Sequence, residues 1–210
     1  GVPYAASTAG ANRFRPPQPV SPWAGEREAL QPGPACPQLP IRDSEYFAWY
    51  HHSGPMDEDC LHLNVYSCGL GEARRRPVMV WLHGGGFISG SGAADIFEGT
   101  NLTRFGDIVL VTVTHRLGLL GFLPLELFAD DAPSAGNVGM LDMVAALEWV
   151  RDNIAAFGGD PGNVTVFGQS GGTGKISTLL AMPAAQGLFH KAIMQSGCAL
   201  ILRTPEQAAG

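Results

Sequence analysis

The sequence predicts an α/β fold with a mostly parallel sheet, and three observations predict it. The runs "PVMVWLH" (77–83) and "DIVLVTVT" (107–114) are continuously apolar, the pattern of strands buried on both faces. Further along, Val144, Leu147, Val150, Ile154 and Phe157 recur with a helical period. Then "VTVFGQSGGTGKIS" (164–177) passes from β-branched residues through a glycine-rich turn into small residues that suit a helix. Strands alternating with helices fold as a parallel sheet covered by helices.

Residues 1–60 come first and carry little periodicity. "RFRPPQPVSPW", "QPGPACPQLP" and "YFAWYHH" are rich in Pro, Gly and aromatics, so this stretch reads as an ordered, irregular covering segment over a sheet core at 61–210. The patch Tyr46 to His52 reads as packing, with a pocket mouth as its functional alternative. "LHLNVY" (61–66) alternates and predicts a strand. Arg74, Arg75 and Arg76 read as a solvated loop. After the two buried runs, a helix is expected from Met140 to Phe157, ended by Gly158 and Gly159. A strand at 163–167, a helix at 172–182 and a last strand near "KAIMQS" complete the set.

Composition bounds the function. The chain has 210 residues, 45% apolar and 15% charged, which suits one globular domain large enough to bury a core. A net charge of −6 disfavours nucleic acid or anionic membrane as partner. The longest apolar stretch is broken by His115 and Arg116, so no membrane span is expected. The 4 cysteines show neither a CxxC pair nor metal-ligand spacing. Cys36 and Cys60 flank a turn-rich segment and could close a loop, a bridge worth about 3–4 kcal/mol. Cys68 and Cys198 read as buried thiols. The compartment stays open: secreted or periplasmic if Cys36 and Cys60 are bonded, cytoplasmic otherwise.

The turn after Phe167 suits two devices, a phosphate loop or a nucleophile elbow. Aligning a phosphate loop on Gly174-Lys175 places Gln169 where glycine is needed and Ile176 where Ser or Thr is needed. The elbow needs Gly-x-Ser-x-Gly, and Gly168-Gln169-Ser170-Gly171-Gly172 supplies it. Its glycines allow the tight turn that raises the serine above the sheet edge. "WLHGGGF" (81–87) follows another buried strand, and consecutive glycines let backbone amides approach a developing oxyanion. The two motifs together, each after a strand, carry far more weight than either alone.

At these residues the chain resembles the carboxylesterase/cholinesterase family of α/β-hydrolases, the type B carboxylesterases. "FGGDPGNVTVFGQSGG" (157–172) matches the family's serine signature, and "EDCLHLNVY" (58–66) is similar to its upstream signature, with His62 where Tyr, Thr or Phe is usual. "GVPYA", "RFRPPQP", "ACPQ", "HRLG" and "GNVGMLD" extend the likeness over essentially the whole chain. The resemblance implies an α/β-hydrolase fold, cut after the nucleophile helix and the strand that follows it. It implies Ser170 as nucleophile and the amides of Gly85, Gly86 and Gly171 as oxyanion hole. It also implies a Cys36–Cys60 disulfide and two buried structural ion pairs, Arg13–Glu58 and Arg116–Asp142. His83 is expected to orient the glycine loop. The substrate implied is a small-molecule carboxylic ester, with no metal and no organic cofactor. Gln169 stands where the best-known eukaryotic members have Glu, which favours neutral esters over cationic ones.

The family's triad runs Ser, then Glu or Asp, then His. After Ser170 the sequence offers only His190 and Glu206, in the wrong order. The chain is therefore expected to be an internal fragment of a longer hydrolase, near-inactive alone and with an open, aggregation-prone sheet edge. A non-catalytic adhesion or partner-binding domain of cholinesterase-like fold is the rival from another class, and nucleotide binding the third reading.

Overall fold

The computed structural model describes residues 1–39, 54–128 and 135–197. The patch Tyr46 to His52, Cys198 and Glu206 lie outside these residues. Among the described residues six strands form one sheet: β1 (Val2–Pro3), β2 (His62–Tyr66), β3 (Arg76–Leu82), β4 (Val109–Val113), β5 (Gly159–Gln169) and β6 (Lys191–Gln195). The α-helices among the described residues are α1 (Thr100–Gly106), α2 (Gly118–Phe122), α3 (Val138–Asn153) and α4 (Gly171–Ala181). The spatial order is β1-β2-β4-β3-β5-β6. β1, β2 and β4 pair antiparallel; β4, β3, β5 and β6 run parallel.

The continuous apolar runs became the central strands. Val78, Val80, Val109, Val111, Val113, Val164 and Val166 are all 0% exposed, and each such side chain contributes about 1.5 kcal/mol or more by leaving water. α3 covers the sheet with Val138, Met140, Met143, Ala146, Leu147 and Val150. Its last turn tightens into a 3-10 segment, Ile154–Phe157, and Gly158 closes it at φ 81°, in the left-handed region.

Several expectations are corrected. The N-terminal segment is irregular but forms β1, and its Tyr4, Ala5 and Cys36 enter the same core cluster as the sheet. The Tyr4 hydroxyl donates to the Thr114 carbonyl at 2.7 Å, which fastens the segment across the end of β4. β5 starts earlier than the apolar pattern showed. Residues 160–163, "DPGN", bulge out of the ladder between the pairs Arg76–Gly159 and Val78–Val164, where Pro161 has no N–H to lose. Arg76 is not in a solvated loop: it opens β3, 6% exposed, bonded to Asp107 at 2.6 Å and Glu72 at 2.8 Å. Arg74 also pairs with Asp107. Cys68 is exposed, because the chain turns outward past the end of β2.

Cys36 and Cys60, the pair expected to bond, are brought together in the core. Both are buried free thiols in contact. Cys60 hydrogen-bonds to Cys36, and that bond together with burial holds its thiol well above the ordinary value. The Leu117 N–H donates to Cys36 Sγ as well, at 3.2 Å. Folding supplies the proximity; the covalent bond would need an oxidant besides.

The two ion pairs differ in setting. Arg116 grips Asp142 through Nε at 2.8 Å and Nη2 at 2.5 Å, both side chains essentially excluded from water. Burial pushes the Asp142 carboxyl up while the Arg116 guanidinium pulls it back. Arg116 N–H donates to the same carboxylate at 3.1 Å, and Nη1 to the Arg15 carbonyl at 2.8 Å, so the charges are well satisfied. Arg13 and Glu58 also meet, at 2.5 Å, but the pair is not buried: their side chains are 45% and 22% exposed. The irregular segment lies over the sheet there without covering it.

Candidate active site

β3 is flanked by β4 on one side and β5 on the other: the chain runs from β3 to β4, then crosses back past β3 through α3 to reach β5, so the winding direction reverses at β3. A crevice opens outside the carboxyl ends of parallel strands at such a switch point. The register sets Leu82, the last residue of β3, beside Gly168 near the end of β5. The glycine loop 84–86 and the turn at Ser170 therefore emerge side by side, although they are far apart in sequence.

Ser170 is exposed and sits at φ 54°, ψ −118°, a conformation that costs a non-glycine residue about 1–3 kcal/mol. The surroundings hold it there. Its N–H donates to the Gln195 carbonyl at 2.9 Å, and its own carbonyl receives the Thr173 N–H at 2.9 Å. The Thr173 hydroxyl lies between the carbonyls of Gln195, at 2.8 Å, and Gly168, at 3.2 Å. Among the described residues the Ser170 hydroxyl has no hydrogen-bond partner. It is a strained, solvent-facing nucleophile candidate, with α4 starting at the next residue.

The glycines around it permit close approach. A Cβ on Gly168 would lie 2.6 Å from the Leu82 carbonyl oxygen, and one on Gly171 would lie 2.6 Å from the Gly86 nitrogen. The elbow and the glycine loop are thus packed backbone to backbone. Gly85 and Gly86 adopt φ 88° and 59°, conformations that favour glycine. The Gly85 carbonyl accepts the N–H groups of Ile88 and Ser89, both at 3.1 Å, which folds the loop back on itself. Among the described residues no acceptor takes the N–H groups of Gly85, Gly86 or Gly171, so three amide donors stand free beside Ser170.

Behind the loop lies a buried polar cluster. His83 and His115 are 0% exposed and stack with centroids 4.8 Å apart and planes at 11°. His83 Nδ1 meets the Gly84 carbonyl at 2.8 Å and His115 Nδ1 the Arg116 carbonyl at 2.7 Å. Each Nδ1 therefore carries the proton of a neutral ring, and both Nε2 atoms are buried without a partner among the described residues. Burial, then the nearby Lys175 charge, pushes both rings well below the ordinary histidine range. His83 is therefore out of reach of solvent, held by its Nδ1–H to the Gly84 carbonyl. His190 is engaged elsewhere, its Nδ1 receiving the Val164 N–H at 3.1 Å.

The carboxylesterase family model matches residues 1–207. The chain belongs to the carboxylesterase family. It is 45% identical to the para-nitrobenzyl esterase of Bacillus subtilis over 210 residues, which is 100% of this chain and 41% of that protein. It is 46% identical to carboxylesterase 3 of Homo sapiens over 209 residues, 98% of this chain and 35% of that one. A solved carboxylesterase from Geobacillus stearothermophilus superposes with a TM-score of 0.89 at 44% identity, covering 100% of this chain and 41% of the other. The carboxylesterase chain described here thus has the α/β-hydrolase fold and spans about two fifths of the length of such relatives.

Within this member of the carboxylesterase family, the structure brings Ser170, Gly85, Gly86 and Gly171 together at the carboxyl end of the sheet. Cys36, Cys60, Arg116 and Asp142 lie in the core, and Arg13 with Glu58 at the surface. Two residues carry more than the sequence reading assigned them. Lys175 appears there only in the failed phosphate-loop alignment, and His115 only as a break in an apolar run. A signal for Lys175 existed: Gly172, Lys175, Ile176 and Leu179 share one helical stripe, and all four are buried.

Proposed function

We propose that the full-length protein carrying this chain is a serine hydrolase of neutral, small-molecule carboxylic esters, with Ser170 as nucleophile. The observation that supports it best is the strained, exposed Ser170 beside the free amides of Gly85, Gly86 and Gly171. The 210 residues make up one incomplete α/β-hydrolase domain in this reading, with 1–60 as cover and 61–210 as sheet core.

Ser170 Oγ attacks the ester carbonyl carbon while a histidine outside the described residues takes its proton. The carbonyl oxygen becomes an oxyanion and is held by the three amides, each worth about 3 kcal/mol in the transition state. Their donors are already in place, so little reorganisation is needed when charge develops. The carbon–oxygen bond to the alcohol breaks, the alcohol leaves with the proton, and water then hydrolyses the acyl-serine by the same path in reverse. Without that histidine Ser170 is a weak nucleophile, so the 210-residue chain alone is proposed to turn over at a near-zero rate. All five residues of β6 are exposed, Ile193 and Met194 among them, which supports aggregation of the isolated chain.

The test is fluorophosphonate labelling of the protein in extract from its native source, with the mass of the labelled species and the modified peptide mapped. Label on Ser170 in a protein well above 22.1 kDa, lost in Ser170→Ala, is the expected result. An abundant protein without label at Ser170 would overturn the esterase reading in favour of a non-catalytic binding domain.

A further inference from the structure

We infer that Lys175 positions the oxyanion loop, tying residues 83–87 to helix α4 so that the amides on both sides of Ser170 keep one geometry. This rests on the proposed role of Ser170 and its three amide donors, and it adds a residue that touches neither substrate nor reacting atoms.

Lys175 lies one helical turn beyond Gly171, on the stripe of α4 that faces the loop. Its side chain is 0% exposed. Nζ donates to the carbonyl of His83, the residue before the three glycines, at 2.7 Å. It also stands 5.5 Å from the ring centroid of Phe87, the residue after them, within reach of a cation–π contact. One amino group therefore holds both ends of the segment that carries Gly85 and Gly86. The helix is shaped to receive that segment. A Cβ on Gly174 would lie 3.2 Å from the Phe87 ring, and one on Gly172 would lie 3.2 Å from the His83 carbonyl oxygen. Gly171 is the first residue of the same helix, so a rigid α4 transmits its own position to two sets of donors at once.

A lysine is an expensive way to fill this space. Among the described residues no carboxylate pairs with it, and its titratable neighbours are the stacked His83 and His115, both held neutral. Methionine or leucine would fill the volume without desolvating an amine. Burial lowers the Lys175 pKa to about 7, and in either protonation state the amine keeps an N–H for the His83 carbonyl. The donor is the property that both protonation states share, and the cation–π contact with Phe87 adds to it only while the amine is charged.

The experiment uses the full-length natural protein and compares wild type with K175Q, which keeps a donor, and with K175M and K175T, which remove it from the carbonyl. Steady-state kinetics on p-nitrophenyl acetate are read beside the affinity for an aryl trifluoromethyl ketone. That ketone adds Ser170 Oγ to its carbonyl and forms the same oxyanion. Folding of each variant is gated by thermal melting. The expected result is a kcat loss of tenfold or more in K175M or K175T with KM within about twofold, a matching loss of ketone affinity, and K175Q within about threefold of wild type. A folded donor-free variant with wild-type kcat and ketone affinity would overturn the inference and leave the esterase reading intact. So would K175Q falling with the others, or a loss carried by KM alone. If both donor-free variants fail to fold while K175Q folds normally and is fully active, the donor is structural, and the positioning role falls. A wild-type protein that neither hydrolyses the ester nor labels at Ser170 overturns the esterase reading, and this inference with it.

Discussion

Gly168→Ala tests the backbone-to-backbone packing of elbow against loop most directly. The new methyl carbon would lie 2.6 Å from the Leu82 carbonyl oxygen and 3.0 Å from the Gly172 carbonyl carbon. A carbon keeps roughly 3.3 Å from a carbonyl oxygen, so β3 and the start of α4 must separate by about 0.7 Å. Both neighbours are backbone and cannot turn aside. Overpacking of this kind costs about 1–3 kcal/mol of stability. The displacement falls between Ser170 and the glycine loop, and a misplacement approaching 1 Å costs about 10²-fold in rate. The assay is the second-order rate of fluorophosphonate labelling at Ser170 in the full-length protein, beside urea unfolding. Gly71→Ala is the control: Gly71 has φ 79° with nothing within 4 Å, so it should lose about 1 kcal/mol from backbone strain and label at the wild-type rate. Gly168→Ala labelling within twofold of wild type, with unchanged stability, would refute the packing argument.

Stability should also depend on pH in a direction that the buried cluster sets. His83, His115 and Lys175 all have lowered pKa values in the fold, so the unfolded chain binds more protons and stability rises with pH. The histidine contribution is complete above about 6.5 and is lost as pH falls, while the Lys175 contribution grows from about 7 upward. The limiting slope is about 1.4 kcal/mol per pH unit for each group. Urea unfolding from pH 5 to 8.5 should show this rise, opposed at the acidic end by the raised Asp142 and only above this range by the raised Cys60 and Tyr4, and K175M should flatten the upper part. A flat profile in wild type would contradict the burial of these groups. Asp142→Asn leaves the Arg116 charge buried and unpaired and should cost about 3–5 kcal/mol in the same assay, whereas Glu58→Gln should leave the midpoint within error because its pair is exposed.

Much of the fold was legible because local pattern carries it. A strand buried on both faces must be apolar throughout, so β3 and β4 declared themselves, and α3 showed its period over four turns. Glycines that backbone must approach closely cannot be replaced cheaply, so the elbow and the glycine loop were visible as motifs. Boundaries slipped where chemistry overrode period. The "DPGN" bulge lengthened β5, and α4 began at Gly171 because a helix can start directly from the strained Ser170.

The sequence by itself therefore determined the α/β class, the tight turn at Ser170 and the glycine run after β3, since each depends on side-chain period or on the absence of a side chain. Only the tertiary structure decided that β3 lies beside β5, which sets Leu82 against Gly168 and the two loops against each other. It alone decided that Arg76 and Lys175 are buried while Arg13 and Cys68 are not. The reason is the same in each case. Strand order and the burial of a charge depend on partners brought from distant parts of the chain, and Lys175 finds its own in the carbonyl of His83, at the end of a strand 92 residues away in sequence.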